Sequence, residues 1–149
     1  MGFELAVVSN TPLTPVNDLE TVAVQFLTQI GYLPGGENPR ESLPYRLFMD
    51  CFLRRPEKQW SVEELIATLE TSRPTVYRHL NKLKSLDLLE ETTVRTEGEA
   101  QIRKTYRLRY GNLSKAWNFV EANVKVAMEN YRKTIDHLHD LAQKEVNHG

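Results

Sequence analysis

The stretch from Ser61 to Glu90 limits the possible folds more than any other part of the chain, because it carries two helix starts in quick succession. Ser61 and Glu64 have the spacing of a capping box, in which the hydroxyl and the carboxylate each accept from a backbone N–H that the helix itself leaves unpaired. A helix is therefore expected from Val62, with Leu65, Ile66 and Leu69 as its inner face. It runs for only about two turns before the pattern breaks. After Glu70 a second start follows at once, with Thr71 or Ser72 as N-cap and Pro74 in the first turn, where its missing N–H does no harm. Two capped helices separated by about three residues make a tight turn, the helix-turn-helix arrangement.

The second helix has a divided surface. Val76, Leu80, Leu83 and Leu86 form an apolar stripe suited to a core, while Arg73, Thr75, Tyr77, Arg78, Asn81 and Lys82 project away from it. The polar side offers donors for base edges and phosphates, as a helix lying in a major groove requires. An ordinary solvated helix face has the same composition; the capped helix before it and a β-hairpin after it favour the groove. In that hairpin, spanning Leu88 to Leu108, Leu89, Thr92, Thr93 and Val94 form one strand, Thr96 to Glu99 the turn, and Ile102, Thr105, Tyr106 and Leu108 the return. Alternation puts Ile102, Lys104, Tyr106 and Leu108 on one face and Arg103, Arg107 and Arg109 on the other. With Arg95, these arginines are candidates for phosphate contacts, whereas Glu97 and Glu99 argue against inserting the tip into a minor groove.

The run from Ser72 to Glu90 resembles the recognition helix and wing entry of winged helix-turn-helix regulators of the ArsR and MarR type. The long first helix, ending at Ile30-Gly31-Tyr32, is similar to that of the glycine-betaine-repressor-like branch. The resemblance is best from Leu43 to Leu108. It implies a dimeric repressor or activator. Where the family often has Gly this chain has Asp87, a residue type that tolerates the left-handed conformation such a turn needs.

The net charge of -1 conceals a local imbalance. Between Arg73 and Arg109 nine basic residues stand against five acidic ones, a net +4 that leaves -5 for the rest. Phosphate binding depends on charge at the contact rather than on the total, although ordinary charge scatter would also produce such a segment. Apolar runs are short and interrupted, and residues 1 to 14 lack the basic start and apolar run of a secretory signal, so a cytoplasmic protein without a membrane span is expected. Cys51, the single cysteine, excludes an intramolecular disulfide and reads as a small buried hydrophobe rather than a reactive thiol.

Around the central unit, residues 1–14 read as an extended or poorly ordered arm. Residues 15–42 read as a first helix from about 15 to 30 stopped by Gly31, then a Pro-Gly-Gly loop. Residues 43–110 form the winged domain, entered through a helix from about Leu43 to Arg55 that Pro56 ends. Residues 111–149 form a long helix capped by Asn112 or Ser114, giving a mainly α fold with a small β-hairpin wing. On that last helix Trp117, Val124, Tyr131 and Leu138 recur every seven residues beside a second row of Met128, Ile135 and Ala142. The expected role is a homodimer seam, with packing inside the monomer as the alternative.

His137 and His139, with Asp136 and Asp140, suggest a metal site, but the histidines point to different sides of a helix and no thiol is near, so no metal and no cofactor are expected. Tyr32, Tyr45, Phe48, Trp117, Phe119 and Tyr131 fit packing better than a pocket for a cationic metabolite; a small-molecule effector stays open and unidentified. No hydrolase, nucleotide-loop or metalloprotease motif is present, and no enzyme is expected. Double-stranded DNA is the expected partner, and a winged helix that holds another protein is the rival reading.

Overall fold

The computed structural model describes residues 3–36, 38–95, 98 and 102–148. In chain order they form α1 (Leu19–Gln29), a 3₁₀ turn (Pro39–Glu41), α2 (Leu43–Arg46), which continues as a π-helical segment (Leu47–Leu53), then β1 (Trp60–Ser61), α3 (Val62–Leu69) and α4 (Arg73–Ser85). After these come β2 (Leu89–Val94), β3 (Arg103–Leu108), a 3₁₀ turn (Arg109–Gly111) and α5 (Leu113–His148). The strands form one antiparallel sheet in the order β1-β3-β2. This is a winged helix-turn-helix, mainly α with a small sheet, followed by a long C-terminal helix.

Local chemistry sets most of the boundaries. The Asp18 carboxylate accepts from the Thr21 N–H at 2.9 Å and so caps α1, which begins at Leu19 rather than near Pro15. The Thr21 hydroxyl, which also donates to this carboxylate, and then that N–H hold the Asp18 carboxyl below its usual range. At the other end Gly31, at φ +75°, lets its own N–H reach Thr28 O at 3.1 Å and the Tyr32 N–H reach Leu27 O at 2.9 Å, a Schellman closure. The helix expected over 43–55 is present to Leu53. From Leu47 it winds as a π-helix, with the Arg54 N–H reaching back to Met49 O at 3.0 Å. Leu47, Phe48, Met49, Cys51 and Phe52 are all buried, so the segment is packed round most of its circumference.

One core holds these elements together, drawing on α1 (Ala23, Leu27), the π-helical segment, α3 and α4, the sheet (Trp60, Tyr106, Leu108) and the start of α5 (Ala116, Val120). Trp60 ties two of its layers. Its backbone pairs with Tyr106 across β1 and β3, while its indole N–H donates to Cys51 O at 3.1 Å, one of the last carbonyls that the π-helical segment leaves open. The Cys51 thiol beside it is fully buried, and desolvation pushes its pKa up to about 11, as expected of an inert packing residue.

The arm at the N-terminus is extended and docked. The Glu4 N–H donates to Ser85 O at 2.8 Å and the Val8 N–H to Gln29 O at 2.8 Å, with Phe3 and Leu5 half-buried against the core. The capping box is complete: the Ser61 Oγ accepts from the Glu64 N–H, and the Glu64 carboxylate accepts from the Ser61 N–H at 3.1 Å and from Lys58 Nζ at 2.8 Å. Removing the hydroxyl in Ser61→Ala is expected to lower stability by about 0.5–2 kcal/mol. Urea unfolding with an unchanged m-value checks this; an unaltered midpoint would mean that the cap adds nothing to α3.

Candidate nucleic-acid interface

α3 and α4 meet through a turn built for tightness. Glu70 adopts a left-handed conformation at φ +52°, the Thr71 N–H closes on Ile66 O, and Ser72 caps α4 by accepting from the Thr75 N–H at 3.4 Å, with Pro74 at the second helical position. α4 then buries Val76, Leu80 and Leu83. Its opposite side carries Arg73, Tyr77, Arg78, Asn81 and Lys82, all exposed, with Thr75 half-buried at the margin. At the far end the helix turns on Asp87, left-handed at φ +62° as the sequence allows, and Asn123 of α5 donates to its carboxylate at 2.9 Å.

The polar residues on α4 differ in how far the fold has already engaged them. Arg73 pairs with Glu63 of α3 at 3.0 Å, which raises its pKa and tethers it beside the turn. Lys82 donates to Tyr32 O at 3.2 Å, and its ammonium lies 5.9 Å from the centre of the Tyr32 ring. Arg78 and Asn81 make no hydrogen bond or ion pair among the described residues, leaving their donors for a ligand. His79 sits between the two faces, and burial, then the neighbouring Arg78 and Lys82, press its pKa below the ordinary 6.5.

The wing redistributes the arginines that alternation had placed together. β2 and β3 pair from Leu89↔Leu108 to Val94↔Arg103, and Glu90 is opposite Arg107. Arg107 is correspondingly ion-paired with Glu90 across the strands and only part-exposed. Arg109 lies beyond β3, where its guanidinium donates to Asp87 O at 3.2 Å and Leu89 O at 3.3 Å and rests 3.9 Å over the Phe119 ring. Both were expected to face a phosphate backbone and are instead engaged within the fold: one by its cross-strand partner, the other by open carbonyls at the end of α4 and in β2. Arg95 and Arg103 are exposed, the latter close enough to Glu63 to lower that carboxyl's pKa, after a backbone hydrogen bond and Arg73. The turn Thr96–Glu99, including Glu97 and Glu99, lies outside the described residues apart from Gly98.

Alternation puts Lys104 on one face with Tyr106 and Leu108, which are buried, whereas Lys104 is exposed, 3.8 Å from Glu91. The hairpin runs past the core at this height, so both of its faces meet solvent and strict alternation loses its meaning. Nearer the base, Tyr106 is buried and donates to Glu91 at 3.1 Å; burial and that bond push its pKa up to about 12. Thr105 faces away from Tyr106 but is also buried, donating to Gln59 at 2.8 Å, because β1 and the residue before it cover that side.

Residues 45–92 match the family model of a helix-turn-helix domain. The matched stretch is about a third of the chain. The match begins inside α2, takes in both helices of the motif and ends in β2. No curated protein matches the chain. Among solved structures, a possible transcriptional regulator from Methanosarcina mazei Go1 superposes with a TM-score of 0.48 at 16% identity, over 76% of this chain and 87% of that one.

The C-terminal helix divides in two. Ala116 and Val120 are buried, Trp117 meets Phe26 of α1 edge-to-face at 5.5 Å, and Val124 packs partly against the same core. Trp117 and Val124, expected at a dimer seam, are thus largely used inside the monomer. Met128, Tyr131, Ile135 and Leu138 are each 53–64% exposed. Beside Trp117 an apolar groove of about 520 Å³ opens between α1 and α5, walled by Leu19, Val22, Phe26, Leu53 and Leu113, with Glu121 at its edge. Among the aromatics considered for a pocket, Tyr32, Tyr45 and Phe48 are core residues and Phe119 lies under Arg109. Among the described residues no group of three or more His, Cys, Asp and Glu is placed to hold a metal, and no helix is long and apolar enough to cross a membrane.

His79 provides a test of the α4 geometry. Its imidazole is expected to titrate below 6.5 by NMR, and Arg78→Ala should move the midpoint back upward by removing a neighbouring cation. Because the folded state disfavours the imidazolium, His79 contributes stability above the ordinary 6.5 that is lost as pH falls below it toward the folded midpoint. A midpoint at or above 6.5 would contradict the half-buried placement.

Proposed function

We propose that the chain is a sequence-specific, double-stranded DNA-binding transcriptional regulator of the ArsR/MarR type, acting in the cytoplasm as a homodimer. The observation that carries this reading is α4: its apolar stripe is seated in the core, and its outward side presents Arg78 and Asn81, whose hydrogen-bonding groups are unengaged among the described residues, flanked by Tyr77, Thr75 and Arg73. Arginine and asparagine are suited to bidentate recognition of guanine and adenine edges in the major groove. Arg95, Arg103 and Lys104 on the wing add positive charge for phosphates.

Dimerisation rests on α5. Met128, Ile135 and Ala142 occupy one heptad position and Tyr131 and Leu138 its companion, so the exposed apolar residues form a seam with the 3.5-residue repeat of helix pairing. From Lys125 onward nearly every residue is solvent-exposed over about 36 Å of helix. Solvent is a poor neighbour for such a strip, and a second copy of the helix is its simplest cover.

Enrichment of duplexes from a random-sequence pool tests the DNA reading, and binding of the enriched duplex should weaken steeply with salt. Arg78→Ala with Asn81→Ala should cost about 1–3 kcal/mol per lost base contact while the thermal melt stays unchanged. The engagement of Arg107 and Arg109 within the fold favours the rival reading, a protein-binding winged helix, and tight binding to a protein with no duplex enrichment would establish it. For the seam, light scattering should report a dimer for the full chain and a monomer for Ile135→Glu with Leu138→Glu; a monomeric full chain at micromolar concentration would remove it.

A further inference from the structure

The N-terminal arm, the turn after α1 and Lys82 form a continuous bridge onto the recognition helix. The arm crosses the end of α1, where the Val8 N–H donates to Gln29 O at 2.8 Å and Gln29 Nε2 donates to Thr11 O at 2.8 Å. It then reaches the last residue of α4, where the Glu4 N–H donates to Ser85 O at 2.8 Å. Between these points it passes so close to Gly31 that a Cβ there would be 2.9 Å from the Ala6 Cβ. The absence of a side chain at Gly31 therefore serves the arm's approach as well as the left-handed turn. Next to Gly31, Tyr32 is buried and joined to three elements: its N–H to Leu27 O in α1, its hydroxyl to Pro44 O at the start of α2 at 3.0 Å, and its carbonyl to Lys82 Nζ in α4 at 3.2 Å.

Resting on the DNA-binding reading of α4, we infer that residues 3–11 act as a strap that fixes the pose of the recognition helix, and that Lys82 is a positioning residue in that bridge. Three features support this over direct contact with a nucleic acid. Residues 3–11 contain no Lys or Arg, so the strap has no cationic side chain to offer a phosphate, and its one charged side chain, Glu4, is acidic. The bonds from the arm fall on backbone carbonyls at the C-terminal ends of α1 and α4, groups that a helix leaves open, and therefore fix the two ends relative to one another. Lys82 directs its ammonium to a buried residue's carbonyl and ring, away from the strip formed by Tyr77, Arg78 and Asn81.

The test compares the full chain with two variants, Phe3→Ser with Leu5→Ser, which removes the arm's apolar anchors, and Lys82→Met, which keeps the aliphatic stem but removes the ammonium. Hydrogen exchange on DNA-free protein reads the strap independently of any function. Loosening the arm should speed exchange at least tenfold at the Leu86 and Asp87 amides ending α4 and at Tyr32 and Leu33, with the melt still cooperative. Unchanged exchange at these amides would overturn the strap even if DNA binding is confirmed. With the duplex enriched by the full chain, both variants should lose about three- to tenfold in affinity with the slope against log salt preserved, since a pose is altered and no phosphate contact is lost. A slope reduced by about one in Lys82→Met would identify that residue as a phosphate contact and overturn its positioning role. Failure of the full chain to enrich any duplex would remove the DNA reading, and the exchange comparison would still decide whether the arm restrains α4.

Discussion

The seating of α4 is the constraint on which the remaining structure depends. Val76, Leu80 and Leu83 have essentially no solvent-accessible surface, and burying three such side chains is worth about 5–8 kcal/mol, comparable to the net stability of a small domain. The stripe fixes the helix about its own axis, so the residues between the buried positions must face outward. Arg78 and Asn81 are presented because Val76, Leu80 and Leu83 are not. The tight turn on Glu70, the Ser72 cap, the left-handed Asp87 and the Lys82–Tyr32 bond then fix the helix at both ends and along one side.

The features legible in the sequence are those decided by chemistry within a few residues. The Ser61–Glu64 box, the Ser72 cap with Pro74, the Gly31 stop, the tolerance of Asp87 for a left-handed turn, the wing strands and the uninterrupted C-terminal helix are all of this kind. What the sequence left hidden depends on partners distant along the chain. β1 has two residues and exists because Trp60 and Ser61 meet Tyr106 and Thr105, some forty-five positions later, a pairing no local pattern announces. The π-helical winding of Leu47–Leu53 has no compositional sign in an apolar run, and the docking of the arm requires knowing that Ser85 O and Gln29 O lie open beside it.

The candidate interface was legible to the same degree. Helical periodicity identified the outward residues of α4, since it needs only the spacing of the apolar stripe. It could not distinguish Arg78, which the described residues leave unengaged, from Lys82, which Tyr32 engages. On the wing, alternation grouped Arg103, Arg107 and Arg109, but the cross-strand register sets Arg107 against Glu90, and chain reversal after β3 turns Arg109 onto Phe119. Trp117 and Val124 illustrate the same limit: a seven-residue repeat marks an apolar seam without saying where the monomer's own core ends along it.

The central claim is that α4 enters a major groove with Arg78 and Asn81 directed at base edges. Protection of guanine N7 from methylation on an enriched duplex measures that contact directly, because N7 is an acceptor on the floor of the major groove. The account predicts two protected patches about one helical turn, or a multiple of it, apart, with guanines in each losing protection on Arg78→Ala. A duplex bound with no N7 protection, or with protection that Arg78→Ala leaves intact, would contradict it.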